Sequence, residues 1–471
     1  MGADEFEFND FGKVKMKTLT GNVKLQQDEV FLFCNKAILN EDDNSLEATG
    51  NVVIRQDTVE IQANHLFYDG KNRTALLTGN VKMTDSKFIL KTSALDYNLN
   101  TKIATYTTGG ILTSDTTVLT SEIGYYYSST NDVYFKKDVV IISPQYSLSA
   151  DTLRFNTNKR TAFFLGPTKI KTDSSIIFCE GGFYNTASDN AEFNTKTILI
   201  NRTQILMADS IWFNNKTETG KTKGNINWKD TAQHLNILAD RAWFNNSTND
   251  ILATGHTLFI SKIGDDSLFM SADTLHSTKD LATEKRKFSA YHKVKIFKSD
   301  MQAICDSLYY SDVDSIFRLY QNPVLWMAGN QMKADTVRIR LKNHEVSKFE
   351  LIKSSFMVSQ VDSGLFNQAK GKNITGFFEK GKLHHMLIEG NGESVYYAQD
   401  DSSAFIGVNK IICNNMVIYT DSSKVNRIKF LSKPNGTMYP INQAPKDELK
   451  LKKFIWLENI RPKNKEELRK N

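Results

Sequence analysis

A period of about 29 residues runs through most of this chain, and it carries a slip in hydrophobic phase that limits what each repeat can become. The stretch LSADTLRF at 148–155 shows the slip. Leu148 and Ala150 alternate like the buried face of a strand, but the next apolar residues, Leu153 and Phe155, lie an odd step away. Strand side chains alternate faces with a period of two, so a strand that keeps one face buried must bend or bulge between Ala150 and Leu153.

Alignment on the residue equivalent to Ala150 gives eleven copies, anchored at Cys34, Ala63, Thr92, Thr120, Ala150, Cys179, Ala208, Ala239, Ala272, Cys305 and Ala334. Two places before the anchor stand apolar residues such as Leu32, Ile61, Leu90, Leu148 and Leu206. Three places after it stand Leu66, Leu95, Ile123, Leu153, Ile211 and Leu308. Five places after it runs an aromatic column: Tyr68, Tyr97, Tyr125, Phe155, Tyr184, Phe213, Phe244 and Tyr310. Asp or Asn often follows the anchor, as at Asn35, Asn64, Asp151 and Asp240. A small anchor, a turn-favouring residue and a shifted apolar pair describe a corner between two short strands that share one interior.

Two further landmarks recur. GNVKL at 21–25, GNVVI at 50–54 and GNVKM at 79–83 read as Gly-Asn turns that lead into strands. Segments such as YDGKNRTA at 68–75 and FNTNKRTA at 155–162 read as polar turns. The pattern predicts three or four strands of about four to six residues per repeat. No window in 20–340 has helical periodicity. The expected fold is all-β, elongated and quasi-one-dimensional, and grows by adding rungs. The expected boundaries are a lead-in at 1–17, the repeat array at 18–344, divergent β rungs at 345–432 and a lysine-rich tail at 433–471. The tail's Leu449, Leu451, Phe454, Ile455, Trp456 and Leu457 suit either a terminal cap or a segment that docks a partner.

Composition and motifs narrow the function. The formal charge of +6 is spread along the chain without an arginine-rich block, so no nucleic-acid surface is expected. No run approaches the 18 or so apolar residues of a membrane helix. The start, MGADEFEFND, is acidic and lacks the apolar core of an export signal, which reads literally as a cytosolic chain and suits equally one whose export signal has been removed. No nucleophile elbow, phosphate loop or carboxylate pair stands out, so neither an enzyme nor a cofactor is expected. Cys34, Cys179 and Cys305 all occupy anchors several repeats apart, too far to bridge, and read as small buried fillers with free thiols; Cys413 has no evident mate. Of eight histidines only His384 and His385 are adjacent, and neighbours in a strand point apart, so no metal site is expected.

The repeated [LT]-T-G-N-V-x-[LIM] units at 19–25, 48–54 and 77–83, followed by [IL]-x-A-D-x-L-x-[YF] at 148–155 and 206–213, resemble the OstA-like proteins of lipopolysaccharide transport, the periplasmic bridge family of Gram-negative bacteria. The resemblance covers roughly residues 18–340, and the chain is a long multi-repeat variant. It implies an elongated open β jelly roll, a V-shaped stack of antiparallel strands whose apolar groove holds the acyl chains of lipopolysaccharide during transport to the outer membrane. It also implies a periplasmic location and end-to-end association. The implied partners are lipopolysaccharide and the transport proteins of the inner- and outer-membrane complexes. The groove candidates are Leu66, Tyr68, Leu95, Tyr97, Ile123, Tyr125, Leu148, Leu153, Phe155, Tyr184, Leu206, Ile211, Phe213, Phe244, Leu308 and Tyr310. Lys24, Lys82, Lys136, Lys137, Lys169 and Lys171 suit either phosphate contacts at the groove mouth or a solvated outer face. The competing reading is a polysaccharide-binding or adhesive β-solenoid, which needs exposed clusters of carboxylates and aromatics that the Asn-, Thr- and Lys-rich exposed positions do not offer.

Overall fold

The slip at Ala150 is a bulge in the middle of a strand. In the computed structural model, strand Tyr146–Asn156 pairs antiparallel with Asp132–Ile142, with Lys136 opposite Thr152 and Val139 opposite Ala150. Two residues, Lys137 and Asp138, therefore oppose the single Asp151. Both have left-handed backbone, with φ of 60° and 47°. The bulged strand keeps its inward residues in phase (Val133, Phe135, Val139, Ile141), while on the partner without the extra residue the inward set slips by one place, from Leu148 and Ala150 to Leu153 and Phe155, and the ladder bends there. The structure describes residues 1–471 except 11–14, 86–87, 264–265, 281, 284, 344, 401, 422–423, 446–448 and 470–471. His344 lies outside the described residues.

The chain forms two compact units, Met1–Lys216 and Thr217–Asn471. In both, consecutive strands pair antiparallel, and alternate strands carry a left-handed pair near their midpoint. In the first unit these pairs include Gly21–Asn22, Gly50–Asn51, Gly79–Asn80, Lys137–Asp138 and Thr195–Lys196; in the second, Gly224–Asn225, Gly255–His256, His292–Lys293, Lys353–Ser354 and Gly390–Asn391. Stacked bends make a spine, and each bent strand contributes to two walls that diverge from it. Hairpins close the strands at the far edge of each wall.

This geometry corrects two expectations. Most repeats contain two strands of about a dozen residues, such as Val30–Asn40 and Ser45–Gln56, rather than three or four short ones. The bend is made by a bulge, so the ladder continues through it. Only where the spine breaks fully do strands fall to four or five residues, as in Ile103–Tyr106 and Gly110–Ser114. Likewise, the Gly-Asn pairs are not hairpin turns; they are the mid-strand bulges, because two successive left-handed residues suit the spine as well as a turn. Glycine is required there for a second reason. A Cβ on Gly50 would come within 2.8 Å of Asn35 Nδ2, and one on Gly79 within 2.9 Å of Asn64 Cβ. The Asn that follows each anchor thus packs across the spine onto the next glycine.

Small residues at the anchors let the walls meet. Cys34, Ala63, Ala150, Cys179, Ala208, Ala239, Ala272, Cys305 and Ala334 are all buried. The four cysteines are free, and burial pushes the thiols of Cys34 and Cys179 up to about 11 and that of Cys305 to about 12.

In the second unit, strands from Glu345–Asp362 to Phe405–Asp421 lengthen to 15–18 residues and keep the same bend. The chain then turns back as a tail with three short 3-10 turns, Ile441–Gln443, Glu458–Ile460 and Lys465–Arg469. The tail runs across the strands on the outer face of a wall. Leu449 and Leu451 are buried against Phe356, Val358, Val395, Tyr397 and Val408, which alternate with inward residues such as Met357. Gln368 and Gln331 each hold the tail backbone at both ends of the amide. Gln368 Nε2 donates to Leu449 O at 2.8 Å and its Oε1 accepts from Leu451 N at 2.9 Å. Gln331 Nε2 donates to Ile455 O at 2.7 Å and its Oε1 accepts from Leu457 N at 2.6 Å. Arg461 Nε donates to Gln302 Oε1 at 2.8 Å.

Two tests follow from this packing. Cys34, Cys179 and Cys305 should not react with a maleimide at pH 8 in the folded protein, because a pKa of about 11 to 12 leaves about one thiolate per thousand molecules or fewer; all four cysteines should react in denaturant. The double variant Gln331→Ala/Gln368→Ala should release the tail to limited proteolysis while the strands stay protected, since each change leaves two backbone groups unpaired at roughly 1–3 kcal/mol apiece.

Candidate functional site

The space between the walls of the first unit is lined by two continuous rows. One wall carries Leu25, Leu32, Ile54, Ile61, Met83, Leu90, Leu112, Leu119, Ile141, Leu148, Ile170, Ile177, Leu199 and Leu206, each directly opposite the next across the ladder. Fourteen strands supply one aliphatic residue apiece without a break. We call this the aliphatic wall.

The other wall alternates large and small. Its outer inward row runs Tyr68, Ala75, Tyr97, Ala104, Tyr126, Val133, Phe155, Ala162, Tyr184, Ala191 and Phe213, again by direct pairing. Rings recur on every second strand, roughly 10 Å apart, with a small residue between them. Deeper in this aromatic wall lie Leu66, Leu95, Leu153 and Ile211, each 3% exposed or less. The rings themselves are half-buried, so the deep positions are packed core and the ring row borders the mouth. In the second unit Leu308 is likewise buried, while Phe244 and Tyr310 are half-buried, with Phe244 lying over Gly220 and Tyr310 stacked on Phe317 at 4.3 Å.

Ile123 and Tyr125 do not face this space. The fourth anchor is Ser121, one place later than the sequence alignment has it, and the inward residues are Leu119, Ser121, Gly124 and Tyr126. Tyr125 pairs with Thr105 and Tyr134 on the outer face, where Lys136 Nζ stands 5.4 Å over its ring. The run Tyr125–Tyr127 satisfies the sequence pattern in either register; packing decides between them. Tyr106 fills the interior here, 4% exposed, and donates or accepts a 2.7 Å hydrogen bond with Ser121 Oγ. Only glycine fits beside it, since a Cβ on Gly124 would come within 2.3 Å of the ring. With Ser121 as anchor the spacing becomes 29 on both sides.

The mouth is narrow. Phe88 of the aliphatic wall meets Tyr126 of the aromatic wall edge-on, with ring centroids 5.8 Å apart. Beneath them a void of about 10 Å³, lined by residues including Met83, Leu90, Leu95 and Phe135, has room for a single water-sized sphere. An acyl chain entering at this level must part the walls. In the second unit Phe259 and Phe288 approach to 4.9 Å.

Hairpins form the lips. On the aromatic wall each strand ends in an Asn or Asp whose side chain accepts from the next turn's backbone: Asp69 Oδ1 from Lys71 N and Asn72 N at 2.9 and 3.1 Å, Asn98 Oδ1 from Asn100 N and Thr101 N at 3.0 and 2.9 Å. The Asn72 backbone N–H, first among these bonds, holds the Asp69 carboxyl below its usual range. Successive hairpins are tied together: Gly70 N donates to Asn44 O, Leu99 N to Arg73 O, Ser128 N to Lys102 O, Thr157 N to Asn131 O and Thr186 N to Arg160 O. Ring hydroxyls reach these lips. Tyr184 Oη donates to Asp189 Oδ1 at 2.9 Å, and burial together with that carboxylate pushes the phenol up to about 12.

The lysines singled out from the sequence lie elsewhere. Lys24, Lys136, Lys169 and Lys171 are exposed and Lys82 half-buried on the outer faces, and Lys137 is on the spine. The cations at the lips are hairpin residues, which read in sequence as turn chemistry alone. Among the described residues no cluster of three His, Cys, Asp or Glu is placed to hold a metal ion.

The substitution Gly124→Ala tests the corrected register. It should cost roughly 1–3 kcal/mol, the usual range for overpacking, in equilibrium unfolding; Ile123→Ala, on the outer face, should cost well under half as much.

Among solved structures, LptH of Pseudomonas aeruginosa, described as the LptA-homologous periplasmic component of the lipopolysaccharide transport device, is 16% identical; the match covers 21% of this chain and 76% of that one, with a TM-score of 0.20. No curated protein matches the chain. Residues 1–151, from the first strand through the fifth spine anchor, match the family described as OstA-like protein. Over that region, about a third of its length, the chain is similar to the OstA-like family.

Proposed function

We propose that the protein is a non-enzymatic periplasmic carrier that shields lipopolysaccharide acyl chains between its walls during transport to the outer membrane. The observation that carries this reading is the unbroken aliphatic row of the first unit facing a row of rings and alanines. Each pair of rings with its alanine floor makes a slot of a width suited to one polymethylene chain, and the slots repeat along the stack. Burial of apolar chain surface, at about 25 cal/mol per Å², is the driving force. The aromatic contacts at the mouth open to admit the chains and close behind them. The OstA-like match over 1–151 supports the same ligand class.

Partners join at strand edges. Strand Glu5–Asp10 pairs on one side only among the described residues, and its Phe6 and Phe8 are exposed. Strand Asn435–Tyr439 in the second unit likewise pairs on one side only. Such edges favour strand addition, by the transport proteins of either membrane or by another copy.

Photocrosslinking within one repeat tests the proposal. A photoreactive residue at Tyr126 or Phe155, both inward, should capture lipopolysaccharide in cells, and one at outward Tyr125 should not. Capture at Tyr125 alone, or of lipid-free polysaccharide in place of lipopolysaccharide, would overturn the carrier reading in favour of a glycan-binding surface.

A further inference from the structure

We infer that the tail of the second unit closes a binding site for a soluble oligophosphate, an anion of two or more linked phosphate groups, and that this anion holds the tail against its wall. The site lies on the outer face of the wall, so it does not depend on the groove reading.

The floor of the site is one ladder row. Lys333, Phe356, Lys370 and Glu393 stand directly opposite one another on successive strands. They alternate with Met332, Met357 and Ala369, which are buried on the interior side. The sheet therefore separates the site from the space between the walls. The neighbouring outward row, Gln331, Val358, Gln368 and Val395, contains the two glutamines that grip the tail.

Between those two grips the tail lifts into a turn. Gln368 holds Leu451 N and Gln331 holds Ile455 O. Phe454 N donates to Leu451 O at 2.9 Å and closes the turn. Lys452 and Lys453 occupy its middle, and both are exposed. Lys453 has a φ of 76°, a value that calls for glycine or asparagine at the third position of a turn. Local backbone preference thus does not select a lysine there.

Turn and floor line one cavity of about 520 Å³. Its cations are Lys333, Lys370, Lys372, Lys452 and Lys453, and its carboxylates are Asp335 and Glu393. Lys370 pairs with Glu393 at 2.7 Å. The other four lysines form no ion pair among the described residues. Seating the tail therefore gathers like charge from two parts of the chain, with Asp335 as the one lining carboxylate left to offset it.

Chemistry then selects the ligand. Lysine presents a compact point charge and donates charge-assisted hydrogen bonds to phosphate oxygens. The ammonium groups come from the tail on one side and the strands on the other. An anion that answers both must carry several charges a few ångströms apart, as linked phosphates do. Asn322, Ser354 and Asn391 line the same cavity and add neutral donors. The complete set of lysines exists only while the tail is seated, so binding and seating are linked.

Chymotrypsin cleavage of the tail in the full chain, with and without sodium tripolyphosphate, tests this. The protease cuts beside aromatic residues such as Phe454 and Trp456, so lysine variants leave its sites intact. At about one hundred times the Kd found by calorimetry, tripolyphosphate should slow tail cleavage about a hundredfold, because a ligand held only by the seated tail divides the open population by that factor. Sodium chloride at equal ionic strength should give no such protection. Lys452→Ser/Lys453→Asn, which suits the turn, should keep the melting temperature and weaken tripolyphosphate binding about tenfold or more. Lys333→Gln/Lys372→Gln should weaken it as much from the other side, and Lys169→Gln/Lys171→Gln in the first unit should change nothing. Equal protection by sodium chloride would reduce the effect to screening and overturn the inference. So would binding that survives both cavity variants, binding that leaves cleavage unslowed, or no binding at all.

Discussion

Everything in this fold depends on two consecutive left-handed residues in the middle of a strand. An unbroken sheet would be one twisted surface with one set of side chains on each face. A pair such as Gly79–Asn80 adds one residue to one strand, shifts the facing set by a place and turns the sheet through a corner without ending the ladder. Because the pair recurs on alternate strands, the corners stack into a spine, and two faces of the same sheet look at each other. Anchors must then be small, and the residue after each anchor must reach the next bulge. Conformational freedom is needed at the glycines only because Asn35 and Asn64 already fill the space where a Cβ would stand.

Away from the spine the two walls solve different problems. The aliphatic wall is uniform, so it offers the same surface at every rung. The aromatic wall alternates ring and alanine, and that alternation arises because the 29-residue period spans two strands: the ring belongs to one and the small residue to its partner. A ring on every strand would overfill the interior. Phe164 and Phe193 illustrate the limit, since they stack at 6.1 Å only because Gly182 lies between them.

Much of this was legible in the sequence. The period, the phase slip and the inward sets gave the all-β class, the corner and most of the wall residues, because apolar burial is written directly into spacing. What spacing cannot show is how a polar or glycine residue is used. Gly-Asn is equally at home in a hairpin and in a bulge, so strand length was underestimated. The Tyr125–Tyr127 run fits two registers, and the choice rests on the ring of Tyr106 against Gly124, a contact between neighbouring strands that spacing alone does not show. Lysines beside the strands drew attention to the groove mouth but lie on the outer faces and spine, while Lys333 and Lys452 line one cavity although the sequence holds them far apart.

The hairpin ties along the aromatic lip have an evolutionary consequence. Each loop brings one donor for the loop before it and one acceptor for the loop after it, as Leu99 N does for Arg73 O and Lys102 O for Ser128 N. A tandem duplication or deletion of one 29-residue segment would leave every such donor and acceptor matched, with ring, alanine and bulge still in phase. The length of such a stack is therefore free to change in whole-number steps of one repeat.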